Sequence, residues 1–295
     1  YDLIPENVSV PMSVVQPRRK DIAVGRIRHT LSAFGIDEAM TASVVTDKME
    51  SCGSLWTSHA PLATETPLLE GAKLLRRSMI PSLLTARQIN QTQSIRNAQL
   101  YEIANVVLPE PEVLSLPREL TVLGMVTAGD LQLIKGIVQK ICQQLGSDHL
   151  ISWKEVDHGI FSIGSALRSD VQDRAIGWLG LIHPSIQQRF DLDSACCAAE
   201  LDIDALTSML VEIREAVPFS MFPAVERDLN FIVDESLRWV DLESTCRMYA
   251  GAELSSVEYR ETYRDAKKDG PGKKRILLSL QFQSMDRTLT GEEVE

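Results

Sequence analysis

The period of the hydrophobic positions changes along the chain, and each change marks an element. From Arg18 to Phe34, Val24, Ile27, Leu31 and Phe34 recur at three and four residues, which lines one face of a helix, and Gly35 follows as its stop. Met40–Thr46 reads as a strand, and Asp47–Thr66 as a polar, irregular loop broken by Gly53 and Pro61. Leu74–Val107 is a helix that delivers a buried strand. Ser78 is placed to accept from free amides of the first turn, Pro81 suits that turn, and Leu83, Leu84 and Ile89 form its apolar side. After the polar run Asn90–Asn97, strand formers dominate Leu100–Val107. There Tyr101, Ile103 and Val107 point one way and Leu100, Glu102 and Val106 the other.

Leu108–Glu119 is a proline-rich hairpin connection. Two nearly uninterrupted apolar runs, Leu120–Thr127 and Ala175–Ile182, predict central strands covered on both faces. Between them Asp130 caps a helix Leu131–Leu145, with Leu131, Ile134, Val138, Ile141 and Leu145 inward and Gly146 as its stop, and Ile151–Asp157 and Ser165–Ser169 are further strands. His183–Pro184 turns the second run into a helix Ser185–Phe190. Ala195–Ile203 is a strand, and Asp204 caps the short helix after it. Pro218–Met221 reads as a hinge. Beyond it come a strand through Leu229, Phe231 and Val233, a helix Leu237–Tyr249 stopped by Gly251, and strands Leu254–Tyr263 and Arg275–Gln283. A second helix opens at Thr290, with Glu293 completing a capping box. This β-α-β-β-α order predicts a ferredoxin-like domain that stops before its last strand.

A chain of 295 residues has room for one large and one small domain, and 44% hydrophobic with 24% charged residues is ordinary for a soluble globular protein. No apolar run is long enough to cross a bilayer, and no signal segment opens the chain. Tyr1 is not a natural start, so a fragment of a longer protein is expected. The five cysteines are odd in number with no paired metal spacing, Cys196 and Cys197 read as two faces of one strand, and a reduced, cytoplasmic setting is expected. The net charge of −11 argues against a protein that coats nucleic acid by bulk electrostatics. From Pro218 onward there are 11 basic and 15 acidic residues, so the smaller domain is not basic overall either. None of the five histidines lies at metal-ligand spacing with another His or Cys, and neither a G-x-S-x-G elbow nor a P-loop occurs. His59 reads as solvated and His183 as a helix-start residue.

Several stretches together resemble the β subunit of bacterial phenylalanyl-tRNA synthetases. The first is LRRSMIPSLL with the LYEI that follows it. A helix ending in Phe34–Gly35 before a strand is similar to motif 1 of class II synthetases. Asp130 with Ile134–Lys135–Gly136 follows the family's pattern, as do Ile176–Gly177, Leu179–Gly180, His183–Pro184, Phe190–Asp191–Leu192 and Glu200–Leu201–Asp202. Leu181 departs from it where Glu is usual, and Ala60–Pro61 stands where Asn-Pro is usual. FPAVERDLNF, VDES and DRTLTGEEV are similar to the family's anticodon-binding domain. The resemblance covers essentially the whole chain and implies an α+β protein. Residues 1–17 would be a connector from a preceding module, and 18–217 a class II synthetase-like catalytic-like domain, inactive, with a mostly antiparallel sheet and flanking helices. Residues 218–295 would be a truncated ferredoxin-like anticodon-binding domain (β-α-β-β-α-β without its last strand).

What the resemblance implies about chemistry is largely negative for this stretch. Class II sites aim arginines at ATP from motifs 2 and 3. The motif 2 equivalent here continues Asn105–Val106–Val107–Leu108–Pro109 and the motif 3 equivalent is GWLGLIHP, both without arginine. No catalytic residue, no ATP site and no metal site are therefore expected, the family's magnesium-binding acids lying upstream of this start. ATP and Mg2+ are implied for the whole enzyme, a heterotetramer of two α and two β chains in which the α subunit charges tRNA(Phe) and this part scaffolds it. The expected tRNA-binding residues are Arg264, Lys267, Lys268, Lys273, Lys274 and Arg275, which crowd one hairpin loop, together with Arg227 and Arg287. The loop reads equally as a solvated turn, and Arg227–Asp228 and Asp286–Arg287 equally as structural ion pairs. Val24, Ile27 and Leu31 are the expected subunit interface. The rival readings are a free-standing tRNA- or protein-binding paralogue and a ferredoxin-like module that binds a small regulator.

Overall fold

The first helix, α1 (Arg19–Ala33), turns a slightly different face inward from the one its leucine and isoleucine spacing predicts. Ala23, Ile27, Thr30 and Leu31 are buried, Val24 is half-buried, and Phe34 is exposed. Thr30 can lie inside because its hydroxyl donates to the Arg26 carbonyl one turn back, at 2.8 Å. The computed structural model describes residues 2–3, 15–67, 69–110, 116–146, 151–171, 174–213, 216 and 218–294, so most of the connector expected at 1–17 lies outside the described residues.

The expected strand Met40–Thr46 contracts to two short pieces. β1 (Asp37–Glu38) lies ahead of it and β2 (Val44–Val45) at its end, because the Arg76 guanidinium occupies the stretch between, donating to Thr41 Oγ1 at 2.9 Å and to the Ala42 carbonyl. A single helical turn, α2 (Asp47–Glu50), follows, capped by Thr46, and β3 (Leu74–Leu75) pairs with β2. Next come α3 (Ile80–Thr92) and β4 (Leu100–Leu108). Ile89 of α3 faces solvent and does not extend its apolar side. β5 (Arg118–Ala128) pairs back on β4, their connection lying partly outside the described residues.

α4 (Leu131–Leu145) forms as the sequence predicts. Asp130 Oδ1 accepts from the amides of Gln132 and Leu133, and Gly146 takes the left-handed conformation (φ 101°) that ends the helix. β6 (Ile151–Glu155), β7 (Phe161–Val171) and β8 (Arg174–Ile182) make an antiparallel meander, and β7 is longer than expected because an irregularity at Gly164 lets it resume. α5 (Pro184–Arg189) is capped by His183, whose Nδ1 accepts from the Ser185 amide. β9 (Cys196–Asp202) runs straight into α6 (Ile203–Ser208), so the cap is Asp202, the last strand residue, and not Asp204.

The sheet order is β1-β4-β5-β9-β8-β7-β6, antiparallel except for β1 beside β4. The two apolar runs thus flank β9 at the centre. Their alternation feeds two cores. Leu123, Met125, Cys197 and Leu201 face α1, α4 and α6, while Val122, Val126, Cys196 and Ala198 face α3 and α5. Cys196 and Cys197 do lie on opposite faces, and all five cysteines are free thiols.

The chain divides into two compact units between Arg214 and Glu215, a few residues before the expected boundary. In the small unit β10 (Val225–Asp234), α7 (Trp239–Tyr249), β11 (Leu254–Tyr263) and β12 (Lys273–Phe282) build a three-stranded antiparallel sheet, β10-β12-β11, over a core of Leu242, Val257, Ile276, Leu278, Leu280 and Phe282. The expected second helix is a single 3-10 turn, Gly291–Val294. Glu293 reaches back to the Thr290 amide at 2.9 Å and its hydroxyl at 3.0 Å, as the capping box requires.

Candidate functional site

In the large sheet, the positions that would present phosphate-binding arginines hold other chemistry. Asn105 on β4 is tied to its neighbours across the hairpin, Glu119 and Thr121. The glycines of GWLGLI permit close packing. A Cβ on Gly177 would lie 2.2 Å from the Glu200 carbonyl, and one on Gly180 would lie 2.6 Å from the Phe161 ring. Gly124 on β5 is similarly covered by Met79, at 2.5 Å. The start of α3 therefore rests directly on the centre of the sheet.

The carboxylate of Glu200 on β9 governs that contact. Oε1 accepts from Ser78 Oγ at 2.6 Å, from the Met79 amide and from the Ile80 amide at 3.0 Å, and Oε2 accepts from Trp56 Nε1 at 2.6 Å. Ser78, expected to cap α3 itself, thus shares the helix amides with an acid 122 residues away. Trp56 in turn stands edge-on to Trp178 on β8, with centroids 4.8 Å apart. Burial raises the Glu200 carboxyl above its ordinary value, and the four donors pull it back down. Nearby, Arg76 and Glu102 form a second buried pair. These residues do not fit ATP with Mg2+. The amides that could face a phosphate are already held by the Glu200 carboxyl, and Met79 and Phe161 fill the adjoining sheet surface. Sequence reasoning named Glu200 only as part of a family pattern and missed its role and that of Trp56, and the available signal was a carboxylate inside the apolar run ACCAAEL.

The cations of the small unit sit together, and acids brought in by the sheet register or lying in the loop itself answer most of them. Arg264 makes two bonds to Glu235 (2.9 and 2.6 Å), Lys273 one to Asp234 (2.6 Å), and Lys274 one to the Glu235 carbonyl (2.7 Å). Lys268 lies 3.8 Å from Asp265. Arg275 is bidentate on Asp269 and stacks 5.7 Å from the centre of Tyr263. Those hydrogen bonds depress the Asp269 and Glu235 carboxyls. Among the described residues, Lys267 is the one of the six whose ammonium has no partner. Exposed ion pairs such as Arg264–Glu235 and Lys273–Asp234 contribute little, so a phosphate can displace the carboxylate at small cost.

Arg227 and Arg287 serve a different place. Arg227 on β10 donates to the Gly291 carbonyl at 3.2 Å and ties the last turn to the sheet, while Arg287 pairs with Glu293 of that turn, beside a cavity of about 380 Å³ lined by Leu229, Leu280 and Phe282. The Thr290 amide and Arg287 push Glu293 down to about 2. Arg287 takes Glu293 as its ion-pair partner, and Arg227 and Asp228 do not pair with each other. Neighbours on a strand point to opposite faces, and Asp228 accepts from Ser279 Oγ on the other side. The expected subunit interface also needs correction, because Ile27 and Leu31 have no exposed surface and pack inside the domain against α4 and α6. Val24 alone of the three reaches the edge of that core.

No group of three His, Cys, Asp or Glu among the described residues is placed to hold a metal, and no described helix is long and apolar enough to cross a membrane. The large unit has the fold of an aminoacyl-tRNA synthetase domain. Two solved pyrrolysyl-tRNA synthetase structures from Desulfitobacterium hafniense superpose on 63% of the chain with TM-scores of 0.51 and 0.50 at 13% identity, covering 64% and 67% of those chains. The chain belongs to the phenylalanyl-tRNA synthetase β-chain family, matching the model of its CLM domain over residues 4–203 and that of the ferredoxin-fold anticodon binding domain over 220–295. The phenylalanine–tRNA ligase β subunit of Rhodopirellula baltica is 40% identical over 306 aligned residues, taking in 100% of this chain and 45% of that protein. That of Clostridium tetani is 30% identical over 78% of this chain and 29% of its own. The chain spans less than half the length of these relatives.

Proposed function

We propose that this chain is the non-catalytic β-subunit part of a cytoplasmic phenylalanine–tRNA ligase. In this reading it scaffolds the α subunit and holds tRNA(Phe) while phenylalanine is activated with ATP and transferred. The observation that carries the reading is the presence of both β-chain domains in family order over one chain. ATP and Mg2+ then act on the α subunit in a heterotetramer of two α and two β chains. Assembly through α1 falls to its outer side, of which Val24 is the inner edge. Leu31→Glu would bury a charge in the core and would report on folding and not on assembly.

The small unit's part is tRNA contact through phosphates, with Lys267 poised, and Lys268 and Lys273 exchanging their acids, and Lys274 the Glu235 carbonyl, for the tRNA backbone. Each phosphate neutralised in a single-stranded loop steepens the log–log salt dependence of binding by about 0.7. If two of the four lysines engage phosphates, replacing all four with alanine in the assembled ligase flattens the slope by roughly 1.4. The loss is expected to be similar for cognate and non-cognate tRNA, because phosphate contacts carry no base information. An unchanged slope would reduce the loop to a solvated turn.

A further inference from the structure

We infer that Arg19 and Arg26 of α1 clamp the segment by which the chain leaves the large unit, and that they are positioning residues for the tRNA held by the small unit. The second half of this inference rests on the function proposed above. After α6, Met209 and Leu210 are buried in the core, and the chain then crosses between the end of α4 and the side of α1. The Val211 amide donates to the Leu145 carbonyl at 2.8 Å. Arg26 Nη1 donates to the carbonyls of Val211 (2.9 Å) and Gln144 (3.3 Å), and Nη2 to that of Glu212 (3.3 Å). Arg19 Nη2 donates to the Leu210 carbonyl at 2.7 Å, and Nη1 meets the Glu212 carboxylate at 2.5 Å.

Two features set this apart from ordinary packing. Arg19 and Arg26 are seven residues apart, two helical turns, so one side of α1 presents both forks to three consecutive carbonyls. Gln144 belongs to the last turn of α4, the end of a helix that favours a cation. The segment so held brings little apolar surface with it, since Val211 is 36% and Ile213 85% exposed. Fastening its backbone adds little to the core. It does fix the point at which the chain leaves the large unit. An exit fixed in this way raises the effective concentration at which two linked modules meet one ligand.

The test uses the assembled ligase with the double variant Arg19→Ala/Arg26→Ala and the single variant Arg26→Lys, which keeps the charge but loses the fork. The Val211 amide is expected to exchange its hydrogen more than about tenfold faster in the double variant, with Arg26→Lys between it and wild type. The dissociation constant for tRNA should rise about threefold, while phenylalanine-dependent pyrophosphate exchange, which needs no tRNA, stays unchanged. A drop in pyrophosphate exchange matching the loss of tRNA binding would make the two arginines merely structural and overturn the inference. Unchanged tRNA affinity would overturn it as well. If the quadruple lysine variant measured alongside were also unchanged, the reading of the small unit would fall with it.

Discussion

Replacing Gly177 with alanine is expected to lower the stability of the large unit by at least about 3 kcal/mol, whereas Gly136→Ala should raise it by up to about 1 kcal/mol. The two glycines meet opposite surroundings. The Cβ added at Gly177 would lie 2.2 Å from the Glu200 carbonyl oxygen and 2.9 Å from Leu201 Cα, both backbone atoms of β9, the strand paired with β8 at this point. Neither atom can retreat without opening the β8–β9 ladder at the centre of the sheet, so the cost is that of broken pairing and not of one displaced rotamer. A Cβ at Gly136 on α4 would have nothing within 4 Å, and alanine there only removes glycine's excess freedom in the unfolded chain. Denaturant titrations of both variants, followed by circular dichroism, measure the contrast. A Gly177→Ala protein as stable as wild type would mean that β8 and β9 do not approach as described.

The features legible in the sequence were those set by neighbours along the chain. β5 and β8 announced themselves as apolar runs, and α4 carried its cap, its inner stripe and its stop within seventeen residues, Asp130 to Gly146. What was not legible depended on partners brought in from far away. Ser78 looked like the cap of α3 because it stands at the right place, but the acid that organises those amides lies on β9. Asp204 looked like the cap of α6 because the strand was expected to run through Ile203, whereas β9 ends at Asp202 and Ile203 already begins the helix. The lysine loop read as an unanswered cluster because Asp234 and Glu235 are about 30 to 40 positions away, and only the pairing of β10 with β12 brings them alongside. The inner face of α1 was displaced by one buried threonine whose hydroxyl is satisfied locally, which periodicity of apolar residues does not register.

Glu200→Ala should destabilise the large unit by roughly 4 kcal/mol near pH 5, with Glu200→Gln losing roughly half as much. Alanine leaves the Met79 and Ile80 amides, the Ser78 hydroxyl and the Trp56 N–H facing an unfilled buried space, and each unsatisfied donor costs about 1–3 kcal/mol before relaxation. Glutamine keeps one oxygen for the three donors at the start of α3. Its amide nitrogen, however, must face the Trp56 N–H, donor against donor, so the loop carrying Trp56 is released from Trp178 while α3 stays capped. Intrinsic tryptophan fluorescence should therefore change in both variants, and the helix should loosen only in Glu200→Ala. The pH dependence has a definite sign. Burial lifts the folded carboxyl above its ordinary 4.5, so between that value and the raised one the folded chain binds more protons than the unfolded chain. The stability Glu200 contributes is complete below about 4.5 and declines as pH rises through the raised folded value, so the gap between wild type and Glu200→Gln narrows on going from pH 4 toward neutrality. Urea midpoints of the three proteins measured across that range decide the matter. A gap that widened with pH would show a carboxylate stabilised by its four donors beyond the penalty of burial, and equal losses for alanine and glutamine would mean that Glu200 does not hold the start of α3 at all.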